Sequence, residues 1–67
     1  MLVEIVYNKG REEFTINLNG EKWLIGNEEE LYHLEFEGGF VISDSEADVY
    51  KIDIKEENLQ KLDLIEI

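Results

Sequence analysis

Eight carboxylates crowd one third of this 67-residue chain: Glu28, Glu29, Glu30, Glu35, Glu37, Asp44, Glu46 and Asp48 lie between positions 27 and 48, where no Lys or Arg accompanies them. A carboxylate held on a folded surface accepts charge-assisted hydrogen bonds from Arg and Lys. A set of them can therefore stand in for phosphates. Residues 1–26 carry four acids against Lys9, Arg11 and Lys22, and residues 49–67 carry five acids against three lysines, so the middle third holds −8 of the formal −11. Spacing sharpens the chemistry. On a strand, Glu35 and Glu37 share a face about 6.8 Å apart, since alternate residues advance by two strand rises. That is close to two steps along a DNA strand, where phosphates follow at about 3.4 Å of axial rise.

Other chemistry is thinner. Asp44, Ser45, Glu46 and Asp48 offer oxygen ligands for a hard cation, but the spacing and central glycine of an EF-hand loop are missing, so a solvated loop and no metal site are expected. His33 stands beside Glu35 as a formal acid-base pair, without the nucleophile, oriented partner and pocket that catalysis needs. The chain has no Cys and a single His, which removes disulfides and the usual zinc sites. No enzyme and no cofactor are expected.

The charge of −11 excludes direct nucleic-acid binding, because there is no cationic surface to release counterions from phosphates. An apolar fraction of 43% is too high for a disordered acidic tail, so the chain should fold as one domain over residues 1–67. No apolar run approaches the roughly 20 residues that cross a bilayer, and no basic region or apolar signal core follows Met1. No membrane partner and a cytoplasmic location are the expectations. A domain this small buries only about 60% of its unfolded surface. Self-association as a homodimer is one way to add to the core.

The elements that must position these acids read as strands. Val3, Ile5 and Tyr7 alternate with Glu4 and Val6, and Asn8-Lys9-Gly10 supplies a turn. Glu12 to Leu18 repeats the alternation, with Phe14, Ile16 and Leu18 on one face. Asn19-Gly20 is the strongest local signal, since a two-residue type I′ hairpin needs positive φ at both central residues. It predicts Leu18 opposite Glu21, Ile16 opposite Trp23 and Phe14 opposite Ile25. Asn27 can cap a short helical turn that Glu30 closes by reaching back. From Leu31 to Glu37 a strand pattern competes with a helical Leu31–Leu34. A loop of Glu37-Gly38-Gly39 would then pair Phe36 with Phe40 and Leu34 with Ile42. Residues 44–48 read as an exposed loop, and Tyr50, Ile52 and Ile54 share a face of the next strand. Residues 55–60 read as one helical turn with Leu59 tucked inward, and 62–67 as a terminal strand with a slip between Leu64 and Ile65.

The sum is an all-β fold with one or two short helical turns, a small antiparallel meander of six or seven strands curling into a barrel-like or strongly bent sheet. In size and acidity the chain resembles small phage or plasmid inhibitors of nucleases, including anti-CRISPR proteins, although no motif identifies a family. That resemblance implies a non-catalytic, nucleic-acid-mimicking inhibitor whose partner is the basic surface of a DNA- or RNA-handling protein. The eight acids would form its partner-binding set, with Tyr32 and Phe40 as aromatic anchors if exposed. The alternative is a structural or assembly module, a homo-oligomer using a sheet edge or the second apolar face of the terminal strand, with the acids serving only solubility.

Overall fold

The computed structural model describes residues 1–33 and 39–67, with the backbone alone described over 39–42. Alternation of apolar and polar residues builds six strands: β1 (Leu2–Asn8), β2 (Glu13–Leu18), β3 (Glu21–Ile25), β4 (Gly39–Ser43), β5 (Ala47–Asp53) and β6 (Leu64–Glu66). Three helical pieces of about one turn each complete the described chain: α1 (Glu28–Leu31), α2 (Glu56–Leu59) and a 3₁₀ turn (Gln60–Leu62). No helix among the described residues is long and apolar enough to cross a membrane.

The β2–β3 hairpin forms as its turn chemistry demands. Asn19 (φ 51°) and Gly20 (φ 82°) occupy the left-handed region that a type I′ turn requires. The ladder pairs Leu18 with Glu21 and Ile16 with Trp23. The first hairpin is longer than expected. Its loop runs over Lys9–Glu12, with Asn8 paired to Glu13 and Glu12 at φ 56°. Asn8 shapes that loop, because its side-chain oxygen accepts the Arg11 amide at 2.9 Å.

The strand order is β4-β5-β1-β2-β3-β6, with every pair antiparallel. The meander expectation therefore holds for β1-β2-β3 and for the β4-β5 pair. β5 joins the free edge of β1 and β6 joins the free edge of β3, so β3 and β4, and likewise β5 and β6, are joined by crossings from one side of the sheet to the other, of which residues 26–33 and 54–63 are described. Among the described residues the sheet stays open, since β4 and β6 end it without pairing to each other; of the barrel-like or strongly bent sheet expected from the sequence, the barrel-like closure is not formed there. The crossings explain why. They lay Leu31 and Leu62 over one face, giving the sheet a second layer without a second sheet.

That inner face is the core. Val3, Ile5, Phe14, Ile16, Ile25 and Ile52 from the strands are buried together with Leu31, Ile54 and Leu62, the last wholly inaccessible. Leu59 packs against the cluster as expected. Three boundaries differ from the sequence reading. Leu31 ends α1 rather than opening a strand, and Tyr32 and His33 form a turn; the Phe36–Phe40 and Leu34–Ile42 pairings fall outside the described residues. Ala47 and Asp48 belong to β5 rather than to the loop. The terminal strand begins at Leu64, because Leu62 is taken into the 3₁₀ turn and Asp63 turns the chain at φ 52°.

The two crossings are buckled to each other. The Gly26 amide donates to the Asp63 carbonyl at 2.9 Å and the Asn27 amide to the Leu62 carbonyl at 3.0 Å. Asn27 Nδ2 reaches the Lys61 carbonyl at 3.3 Å, while Asn27 Oδ1 accepts the Glu30 amide at 3.4 Å and caps α1. With its own amide committed to Leu62, Asn27 does not receive the reciprocal bond from Glu30 that a capping box would add. A Cβ at Gly26 would lie 2.7 Å from the Asp63 carbonyl oxygen. Gly26→Ala is therefore expected to lower unfolding stability by about 1–3 kcal/mol in urea titration. Gly10→Ala, whose Cβ meets only Asn8 Oδ1 at 3.5 Å, should stay within about 0.5 kcal/mol of the parent. Equal effects of the two would contradict the buckle.

Candidate interaction surface

The eight candidate acids divide into three groups. Glu28, Glu29 and Glu30 form the first turn of α1, with Glu28 and Glu29 exposed and Glu30 half-buried. Their carboxylates sit at the positive end of the helical turn, where negative charge is tolerated. Consecutive residues fan out by about 100° each on a helix, so they make a broad acidic knob rather than a row. None of the three ion pairs found among the described residues involves them. Glu35 and Glu37, whose strand spacing suggested a phosphate-like interval, lie outside the described residues.

Asp44, Glu46 and Asp48 behave differently. Asp44 Oδ1 accepts the Glu46 amide at 2.7 Å and the Ala47 amide at 2.6 Å, and the Asp44 amide donates to the Ala47 carbonyl at 3.0 Å. The side chain is thus folded back onto its own turn. Those two amide bonds, helped by Lys9, hold its carboxyl below the usual 3.8 despite some desolvation. Asp48 is drawn down from the same value by a hydrogen bond from Ser43, then by Lys9, against desolvation and the neighbouring Asp44 charge.

Lys9 ties this together. Its amide donates to the Glu46 carbonyl at 2.9 Å, and its ammonium lies 2.7 Å from the Asp44 carbonyl oxygen and 3.3 Å from Asp48 Oδ1. The segment 44–48 is acidic in sequence, but in space it has a cation supplied by the β1–β2 loop. Asp44 and Asp48 are better described as loop-building residues than as free phosphate surrogates. Glu46 remains exposed, its backbone engaged and its carboxylate in none of the described ion pairs. Of the oxygens that suggested a hard-cation loop, those of Asp44 and Asp48 are engaged within the loop and by Lys9, and among the described residues no group of three or more His, Asp or Glu converges to hold a metal.

A feature that the charge pattern does not announce lies between the two acidic segments. A cavity of 560 Å³ opens on the inner face, walled by Tyr7, Phe14, Tyr32 and Tyr50 over Ile5, Leu31 and Ile52, with Asp48 at its side. Tyr7 and Phe14 stack at 4.6 Å between centroids with a 37° tilt, and Tyr32 meets Phe14 edge-on at 6.3 Å. Tyr32 follows α1 directly and is 74% exposed. The structure thus brings the α1 knob and the start of β5 to one aromatic cavity. The sequence signal for it was the in-facing alternation of Tyr7, Phe14 and Tyr50, which marks only a core. His33 is exposed in the turn after α1, its amide bonded to the Glu30 carbonyl at 3.0 Å; its expected neighbour Glu35 is outside the described residues.

Comparison with protein-family models, with curated proteins and with solved structures finds no match.

Because the folded carboxyls of Asp44 and Asp48 hold their charge to lower pH than unfolded ones, the native state binds fewer protons than the unfolded chain in acid. Their contribution is complete above the unfolded value of 3.8 and is lost as pH falls through the lower folded values. The Asp44→Asn/Asp48→Asn protein keeps an acceptor oxygen at both positions. Between about pH 5 and pH 2 it should therefore lose less stability than the parent in urea titrations. Parallel losses would contradict this assignment.

Proposed function

We propose that this protein is a non-catalytic interaction module that docks its acidic, aromatic end onto a basic protein surface, in its most concrete form the nucleic-acid-binding site of a DNA- or RNA-handling protein. The observation that carries the reading is the exposed α1 carboxylate knob beside a tyrosine-walled cavity. Arg and Lys side chains from a nucleic-acid site are the natural complement of that pairing. Their charged heads donate hydrogen bonds to the carboxylates of Glu28, Glu29 and Glu46, and an Arg plane stacks on Tyr32. The long-range field of a −11 chain would speed encounter and make it salt-sensitive.

Within this reading Asp44 and Asp48 support the surface by fixing the loop that carries Glu46. Glu35 and Glu37 remain candidate partner contacts on the strength of their sequence position.

The test is capture from cell lysate and from a panel of purified nucleases and DNA-binding proteins, at low and high salt, with competition by duplex DNA. A bound basic protein should be released by duplex DNA and by raised salt. The Glu28→Gln/Glu29→Gln/Glu30→Gln protein should bind it at least about tenfold more weakly, a change of about 1.4 kcal/mol. Tyr32→Ala should weaken it comparably. A partner that binds alongside DNA, or that is indifferent to all four substitutions, would contradict the proposal.

A further inference from the structure

The described parts of the two crossings cover one face of the sheet, and the second face has its own pattern. Register places Val49 beside Val6, Val6 beside Thr15, Thr15 beside Leu24, and Leu24 beside Ile65. These five residues form a row across five strands, apolar except for the Thr15 hydroxyl at its centre, on the side opposite the core. Val49, Val6, Thr15 and Leu24 are half-buried by their neighbours, and Ile65 is 46% exposed. Every described helical turn contributes its inward residue to the opposite side: Leu31, Leu59 and Leu62 all pack in the core cluster. Ile65 explains the slip in the terminal alternation, because Leu64 pairs with Ile25 while Ile65 completes the outer row.

Charge tells what could cover this face. Its outward strand positions carry Glu4, Glu13 and Asp53 against Lys22 and Lys51, a side-chain sum of −1 in a chain of −11. Glu4 and Lys51 are paired across β1 and β5 at 3.9 Å, and Glu4 also accepts from Asn17 Nδ2 at 3.5 Å. A basic partner has little to attract it here. A second copy of the chain, repelled by the acidic rim, meets almost no like charge on this side.

The area is modest. Five strands, each about 4.8 Å wide and on average a little under about 20 Å long, give roughly 450 Å² per copy, or about 900 Å² for two. That is the size of a weak, reversible interface rather than of a tight one. We infer that the outer face is a homodimer interface, in which the Val49-Val6-Thr15-Leu24-Ile65 rows of two copies pack sheet on sheet. Such layers stack about 10 Å apart with strand directions within about 30°. This inference is independent of the acidic docking surface, which lies at one end of the covered face.

Sedimentation of the full chain from micromolar to submillimolar concentration tests it. The expected result is a mass rising from 7.9 kDa to twice that value. Association should tighten with added salt, because screening weakens the repulsion between two acidic copies; partner docking through the acids should weaken. Leu24→Glu/Ile65→Glu should raise the dimer dissociation constant about tenfold or more, with the near-ultraviolet signal of Trp23 on the inner face retained. Should that pair lose the Trp23 signal, Ile65→Lys alone, on the short edge strand, makes the same test. Glu28→Gln/Glu29→Gln/Glu30→Gln should leave the dimer intact. A single 7.9 kDa species at submillimolar concentration in high salt, or a dimer that a folded outer-row variant does not weaken, overturns the inference.

Discussion

Everything in this molecule depends on how two crossing segments are fastened over one face of an open sheet. The sheet alone would expose both faces, and a core of this size rarely contributes more than roughly 3–5 kcal/mol net. Burying Leu31 and Leu62 contributes on the order of 1.5–3 kcal/mol each before conformational entropy is counted. Losing that layer would leave little. The layer is held where the Gly26 and Asn27 amides donate to the Asp63 and Leu62 carbonyls, which joins the strand 3 exit to the strand 6 entrance. Gly26 is required there by close approach, and Asn27 by its ability to cap α1 and bond Lys61 with one side chain.

The same fastening sorts the chemistry. Because the described parts of both crossings lie on the inner side, α1 leads directly to Tyr32 at the mouth of the aromatic cavity, and the glutamates of α1 gather beside it. The outer side is left with an apolar row flanked by paired and balanced polar residues. One-sided covering thus yields two surfaces of opposite character, one acidic and suited to cations, the other nearly neutral and suited to its own likeness. Lys9 stands apart from both, since its ammonium is spent on Asp44 and Asp48 to shape a loop.

Much of the local structure could be read from residue order. Asn19-Gly20 specified its turn because few residue pairs accept two positive φ angles, and the hairpin register followed from it. Asn27 declared itself as a cap, and the alternation of Val3, Ile5, Phe14, Ile16 and Ile52 marked the core face. Strand order was not legible. The pairing of β5 with β1 and of β6 with β3 joins residues far apart in sequence, and any alternating strand would satisfy either edge locally. The roles of Asp44 and Asp48 were hidden for the same reason, since Lys9 lies 35 residues before Asp44. A count of charges along the chain registers the acids and misses the cation folded against them. The outer row was hidden by alternation itself, because Val6, Thr15, Leu24 and Val49 read one by one as ordinary outward positions and form a row only once the register is known.

Amide hydrogen exchange under native conditions tests the central claim most directly, because it asks whether the covering layer belongs to the cooperative unit. The amides of Gly26 and Asn27, bonded to Asp63 and Leu62, are expected to exchange with the same opening free energy as those of the β1–β2–β3 ladder around Ile16. Rapid exchange at Gly26 and Asn27 beside a protected ladder would contradict it, since the sheet would then stand without the layer held to organise its two faces.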